Sequence, residues 1–425
     1  MSVHPIIPAR GPVCGTVRVP GSKSLTNRAL VLGALAEGRT VVEGALASDD
    51  TLRMAAGLRA LGFAVEDDRA AGRFVVPGEG GRIPAPVARV DAGDAGTVAR
   101  FLTAVAALGF GEYVVDGSPR MRRRPIADLV EALRQLGADA AAPTGCPPVT
   151  VRARGLGGGR ATVPGGTSSQ FLSALLHVAP LAGGPVELLV PGSQAAAPFV
   201  AMTLGAMRAF GVTASEEGGF RYRITPQRYT PRTFAVEPDA SGASYFFAAA
   251  AATGGRVTVA GLRRGSLQGD VRFLDVLEGM GCTVRWTEHG VTVQGPEHLR
   301  GMDVDLRAMP DVTATLAALA PFAEGVVRIR GVGYIRHHES DRLAALAEEL
   351  RRLGQDVRDL EDGLEITPRP VRSAVVQTHN DHRLAMAFAV TGLRAPGIAI
   401  ASPEVVSKTF PDFFERLDEL RAGAD

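Results

Sequence analysis

The segment RVPGSKSLTNRAL places Lys23 between two serines, with Arg28 five residues on. Only one other lysine occurs, Lys408 in SKTF, although lysine and arginine together number 46. Arginine is a permanently protonated fork, whereas lysine is a compact ammonium that can also release its proton. Other basic and hydroxyl residues gather in short strings. They are Asp94, Gly96, Thr97 and Arg100 in DAGDAGTVAR, Arg120 and Arg122 to Arg124 in PRMRRRPI, and Ser168, Ser169 and Gln170 in SSQFL. Asp311 lies in AMPDVTA, Arg336 to Arg342 form RHHESDR, and Asn380, Asp381, His382 and Arg383 close the series. Arginine forks suit carboxylates and phosphates. Glu339 and Asp311 are the carboxylates placed among them to exchange protons. This is chemistry for an anion bearing carboxylate or phosphate groups.

Other readings of the same strings are weaker. Four of the eight histidines lie in HHE and HNDH, but there is no HExxH, and flanking arginines disfavour a divalent cation, so no metal is expected. GSKS lacks the GxxxxGK[ST] spacing of a P-loop. A string such as RRLGQDVRDLED reads as a solvated helix face with local ion pairs.

The elements that carry these strings repeat. A strand, a polar loop, an Ala/Leu-rich helix, a glycine and a second strand recur six times, from Val19, Asp91, Val163, Val236, Ala308 and Val376. The polar openings recur every 69–73 residues. Between them an amphipathic helix ends in glycine and runs into a strand: LRALGFAVE, LRQLGADAA, MRAFGVTAS, LEGMGCTVR and LRRLGQDVR. The glycine marks a helix C-terminus, where left-handed backbone is cheap without a Cβ. One polar helix start needs nothing beyond ordinary capping. Six in register would present equivalent N–H groups and positive dipole ends, which favour anions where they converge. The expected fold is therefore α/β, with three repeats per domain and a cleft between. TPQRYTPRTF, residues 225–234, is the expected link.

The totals agree with two globular domains: 425 residues, 46% hydrophobic, 21% charged and a net charge of +1, which gives no reason to expect nucleic acid or an acidic membrane. Three scattered cysteines, Cys14, Cys146 and Cys282, suit a reducing compartment. MSVHPIIPARGP has no secretion-signal pattern, and SYFFAAAAATGG is too short to cross a membrane. A cytoplasmic protein is expected.

The ordered motifs PGSKSLTNRAL, AGTVARF, PRMRRRPI, SSQFLSALL, DASGASYF, ESDRL, NDHRLAM and SKTFPDFF together resemble those of the enolpyruvyl transferases. The resemblance implies six βαβαββ repeats, with 21–234 as one domain and 1–20 plus 235–425 as the other. It implies a double crossover, and helix N-termini facing an interdomain cleft that closes on ligands. The implied reaction moves the enolpyruvyl group of phosphoenolpyruvate onto an alcohol, expected to be the 5-hydroxyl of shikimate 3-phosphate on the way to chorismate and the aromatic amino acids. No cofactor is implied, and a monomer is expected. Phosphoenolpyruvate would meet Lys23, Gly96, Arg124, Gln170, Arg342, Arg383 and Lys408. The acceptor would meet Ser24, Arg28, Ser168, Ser169, Gln170, Asp311 and His338, with Ser193 or Gln194 as further phosphate contacts. Lys23, Asp311 and Glu339 would move protons.

The acceptor end departs from the family pattern. Where a Ser-Lys/Arg-Pro-Tyr/Phe string is usual, this chain has Ala196, Ala197, Pro198 and Phe199. Tyr334 and His338 replace an asparagine and a lysine. Another cyclic alcohol as acceptor therefore stays open. A UDP-N-acetylglucosamine acceptor fits less well, since Ser24 follows Lys23 and GSPRMRRRP has no cysteine. A binding protein without turnover is disfavoured by the presence of Lys23, Asp311 and Glu339.

Overall fold

The structure is a computed structural model that describes residues 2–166, 168–192, 196–218 and 220–423. The chain divides into two compact units, residues 21–236 and residues 1–20 with 237–425. No helix among the described residues is long and apolar enough to cross a membrane.

Among the described residues, 21–236 contain six α-helices: α1 (Lys23–Leu35), α2 (Asp49–Ala60), α3 (Gly96–Ala106), α4 (Ala127–Gln135), α5 (Ser169–Val178) and α6 (Ala197–Ala209). Three four-stranded sheets share one plan, a parallel pair followed by two antiparallel strands. Val87–Asp91 pairs in parallel with Phe110–Asp116, and Val149–Arg154 and Asp139–Ala141 extend that sheet. Gly159–Thr162 and Val186–Leu189 open the second in the same way. In the third, Glu37–Glu43 takes its parallel partner from far along the chain, Thr233–Ala235. The end of the segment expected as a link is thus an edge strand.

The other unit contains α7 (Ala240–Thr253), α8 (Phe273–Gly279), α9 (Thr313–Leu319), α10 (Arg342–Arg352), α11 (His382–Arg394) and α12 (Phe413–Ala422). Arg256–Ala260 pairs in parallel with Cys14–Val17, and Leu299–Asp305 with Ala323–Arg330; each pair is extended by two antiparallel strands. The last sheet has three strands: Ala374–Val376 parallel to Ile398–Ala401, with Val3–Pro5 antiparallel at its edge.

Burial explains which helices face inward. Helices α3, α7, α9 and α11 are almost wholly buried, and α1 is buried from Leu25 onward. A helix apolar all round must be enclosed, and Ala-rich sequences let such helices approach closely. In one unit α11 packs against α7 and α9, and in the other α3 packs against α5. Helices α2, α4 and α10 are amphipathic outer covers. The glycines after α2, α4, α6, α8 and α10 (Gly62, Gly137, Gly211, Gly281, Gly354) all have φ between +83° and +105°, as a left-handed helix stop requires.

Candidate active site

In residues 21–236, the polar helix starts expected from the repeat carry the predicted residues. Lys23 is the first residue of α1, and its Nζ lies 3.1 Å from Asp50 Oδ2 at the start of α2. Neither Ser22 before α1 nor Ala95 before α3 caps its helix with a side chain. The first-turn N–H groups there are a ready surface for an anion. Ser168 behaves differently: its Oγ accepts the Gln170 N–H at 3.2 Å and caps α5. Ser24 and Ser169 lie in the first turns of α1 and α5, half-buried.

Gly96 opens α3 at a tight convergence. A Cβ there would stand 2.9 Å from Arg124 Nη2, 2.9 Å from Gln170 Oε1 and 3.2 Å from Arg100 Nη1. Arg124 Nη1 donates to the Asp94 carbonyl at 3.2 Å, and Asp94 accepts from the Ser118 hydroxyl. Arg100 is held by the carbonyl of Pro125 and lies over the Phe171 ring. Gln170 Oε1 and Arg124 Nε are buried with no hydrogen-bond partner among the described residues. Leaving such groups unmatched costs about 1–3 kcal/mol each. Rotated by half a turn, the Gln170 amide would aim N–H donors at the same point.

Arg28 is turned into the core, with 1% exposure. It donates to Ser24 O (3.0 Å), Thr203 Oγ1 (2.8 Å), Ser173 Oγ (3.3 Å) and Phe199 O (3.0 Å), all neutral acceptors. Burial pulls its pKa down to about 9. Thr203 and Phe199 belong to α6, so Arg28 fixes the first turn of that helix. That turn begins at Ala196 in left-handed backbone (φ 50°), with no side-chain cap. Ser193 and Gln194 lie outside the described residues. The buried His177 packs edge-on against Phe101, and its pKa falls well below the usual imidazole range through burial and the nearby Arg28 charge.

The unit formed by 1–20 and 237–425 holds the second set. Arg342 begins α10 fully buried. Its Nε donates to Asp381 Oδ2 at 2.9 Å, Nη2 to Glu339 Oε2 at 3.0 Å, and Nη1 reaches Asp311 Oδ1 at 3.5 Å. Arg383 Nη2 donates to Asp311 Oδ2 at 2.6 Å, and Lys408 Nζ lies 3.3 Å from Glu339 Oε1. Asp311 therefore bridges two arginines, and Glu339 bridges an arginine and the second lysine. His338 Nδ1 is 3.4 Å from Arg342 Nη1, and its ring meets Tyr334 edge-on. Tyr334 itself donates to Arg307 O.

Some residues here are absent from the sequence expectations. Asp50 pairs with Lys23 but reads as an ordinary first-turn acid in SDDTLR. Tyr245 lies 3.5 Å from Arg383 Nη1, and burial pushes its pKa up to about 12. Asp270 in LQGDVRF accepts from the Ser241 hydroxyl, with Oδ1 buried and unmatched among the described residues. Burial and the Asp311 charge push its pKa up to about 7. Glu348, Glu349 and His379 bring three possible metal-ligand atoms within 4.8 Å of one another. Arg352 contacts both carboxylates and competes with a cation there.

Comparison with known proteins agrees with the motif resemblance. The family model for EPSP synthase (3-phosphoshikimate 1-carboxyvinyltransferase) matches residues 7–417. A 3-phosphoshikimate 1-carboxyvinyltransferase of Nostoc punctiforme is 45% identical over 412 residues, covering 96% of this chain and 97% of the relative. A chloroplastic one from Arabidopsis thaliana is 46% identical, covering 96% and 82%. The solved EPSP synthase of Acinetobacter baumannii aligns with a TM-score of 0.83 and 26% identity, over 99% of this chain and 98% of that one. The mixed α/β fold, the order of the motifs and these relatives agree: the chain belongs to the EPSP synthase family, the 3-phosphoshikimate 1-carboxyvinyltransferases.

Proposed function

We propose that this chain transfers the enolpyruvyl group of phosphoenolpyruvate to the 5-hydroxyl of shikimate 3-phosphate and releases inorganic phosphate. The observation that carries the reading is the Gly96 convergence, where Arg124 and the Gln170 Oε1, unmatched among the described residues, meet at a helix start with no space for a Cβ. Gly96 lets backbone come close to the donor. Arg124, Arg342, Arg383, Lys23 and Lys408 hold the donor's phosphate and carboxylate. Ser24, Arg28, Ser168, Ser169, Gln170 and His338 serve the acceptor.

Each step places a proton. Asp311 takes the proton of the acceptor hydroxyl as its oxygen bonds to the central carbon of phosphoenolpyruvate. The neighbouring methylene carbon gains a proton, a transfer that falls to Lys23 and Glu339. Elimination then breaks the bond from that central carbon to the phosphate oxygen; the new methyl group returns one proton to its donor to restore the double bond, and the departing phosphate carries away the proton that Asp311 took. Glu339 sits between Arg342 and Lys408, so the carboxylate that moves protons lies among groups that hold the departing phosphate. The reaction as proposed uses no metal or organic cofactor.

Ala196 and Ala197 favour a second reading, transfer to a different cyclic alcohol. A lost charge-assisted hydrogen bond costs about 1.5–3 kcal/mol. The buried positive charge of Arg28, matched by neutral acceptors among the described residues, supports an anionic acceptor nevertheless. Phosphate release measured with shikimate 3-phosphate and with unphosphorylated shikimate separates the two. Turnover of the phosphorylated acceptor alone is expected, and its absence refutes the first reading. We further propose a cytoplasmic monomer; the free, scattered cysteines suit a reducing compartment.

A further inference from the structure

Helix α10 grips the entry to α11 at two points. At its first residue, Arg342 holds Asp381. Seven residues later, on the same face and about 10 Å along the axis, the Glu349 carboxylate is fully buried. Its Oε2 accepts the Gln377 N–H at 2.9 Å, and its Oε1 lies 2.9 Å from His379 Nε2. Arg352 Nε donates to the same carboxylate at 2.9 Å.

Gln377 to Asp381 is the connection from the strand Ala374–Val376 into α11. Within it, His379 and Asn380 are both left-handed, with φ of 49° and 56°. Two consecutive non-glycine residues hold that conformation only where the surroundings over-determine it. Here the surroundings are named. Glu349 fixes the upstream end through Gln377 and His379. Downstream, Asp381 donates its N–H to Thr378 O at 2.7 Å and accepts from Arg383 N–H and from Arg342.

We propose that Glu349 is a positioning residue for the donor site: by holding Gln377 and His379 it sets the turn that delivers Asp381 and Arg383 to Arg342 and Asp311. The inference rests on the reading that Arg342 and Arg383 bind phosphoenolpyruvate. The competing role is a local pair with Arg352, four-tenths exposed on the same helix.

The test measures the Michaelis constants of both substrates, and amide exchange over residues 377–383, in E349A, E349Q, H379A and R352Q. E349A is expected to lose about ten- to a hundredfold in kcat/KM for phosphoenolpyruvate. E349Q keeps one acceptor oxygen and gains an amide donor in place of the other, and recovers most of that loss. H379A, altering a partly exposed side chain, raises the phosphoenolpyruvate KM without loss of folding and carries the test if E349A does not fold. R352Q stays near wild type. Exchange at 377–383 speeds up in E349A and H379A but not in R352Q. Equal losses in R352Q and H379A, or an unchanged phosphoenolpyruvate KM in H379A, overturn the proposal. If the wild type turns over no substrate, the functional reading has failed; unchanged exchange in H379A then overturns the clamp independently.

Discussion

Lys23 is the residue where charge and proton transfer separate most cleanly. It ends 3.1 Å from Asp50 at the uncapped start of α1, so an arginine there would keep a cation near the donor but could not cycle a proton. Lys23→Arg is expected to bind phosphoenolpyruvate within about tenfold of wild type and to lose turnover by about 10²- to 10⁴-fold. Isothermal titration set beside a phosphate-release assay checks this; a fully active variant would remove the proton-transfer role. Asp270 gives a pH-dependent prediction. Its neighbours are Ser241, which donates to it, Asp311 and Asp239, whose charges oppose ionisation, and Arg383, which favours it. With a folded pKa near 7 against an ordinary value of 3.8, the native state binds this proton more tightly than the unfolded chain does. Its contribution is therefore complete below pH 4 and is lost as pH rises through 7, with a slope of up to about 1.4 kcal/mol per pH unit. Urea unfolding of Asp270→Asn should lack that decline between pH 4 and 7. Parallel wild-type and variant profiles would count against it.

At the scale of elements, α3 and α6 carry the sharpest expectations. Gly96→Ala would put a methyl 2.9 Å from both Arg124 Nη2 and Gln170 Oε1, at the opening of a fully buried helix. The side-chain ends must withdraw, so KM for phosphoenolpyruvate should rise while the midpoint of thermal unfolding stays close to wild type. A variant with unchanged KM would move the donor away from this convergence. Thr203→Val on α6 keeps shape but takes the Oγ acceptor from the buried Arg28 Nε–H. Denaturant titration should read a loss of about 1.5–3 kcal/mol, and KM for the acceptor should rise with it. How much of this was legible follows the same elements. The six helix starts, the glycine stops of the five helices between them and the strings around Arg124 and Arg383 could be read from the sequence, because repetition distinguishes a placed charge from a solvated one. RHHESDR was read less well, for it does two jobs. Arg336 pairs with Asp341 and Asp359 near the surface, Asp341 caps α10, and Glu339 and Arg342 turn inward. Helical spacing alone does not say which member of such a string is buried. Asp50, Asp270 and Glu349 were missed for a related reason: each acts across a tertiary contact, and locally each reads as a helix-start or helix-face acid.

Across the whole chain, the repeat pattern conceals an exchange of strands. Cys14–Val17 precedes α1 in sequence but pairs with Arg256–Ala260, whereas Thr233–Ala235 precedes α7 and pairs with Glu37–Glu43. Each exchanged strand keeps the phrase of its neighbours, so periodicity could not reveal the swap; only the family resemblance suggested it. The consequence is that residues 1–20 belong with 237–425. They supply Val3–Pro5 as an edge of the sheet that has three strands among the described residues, and Cys14–Val17 to another. Ile6 donates its N–H to Ile398 O and packs on Gly392, where a Cβ would come within 2.6 Å of the Ile6 Cβ. Gly392 lies in α11, the helix that begins next to Arg383. Deleting residues 2–18 therefore strips an edge from two sheets and uncovers α11, while every sheet of 21–236 keeps all its strands. The shortened chain should lose exchange protection in α7, α9 and α11 and retain it in α1, α3 and α5. Limited proteolysis should leave a resistant fragment close to 21–236. Activity should vanish, because Arg342, Arg383, Glu339 and Lys408 all stand on the unit that melts. Simultaneous loss of protection in both sets of helices would show that the units do not fold separately, and that the strand exchange couples their stabilities.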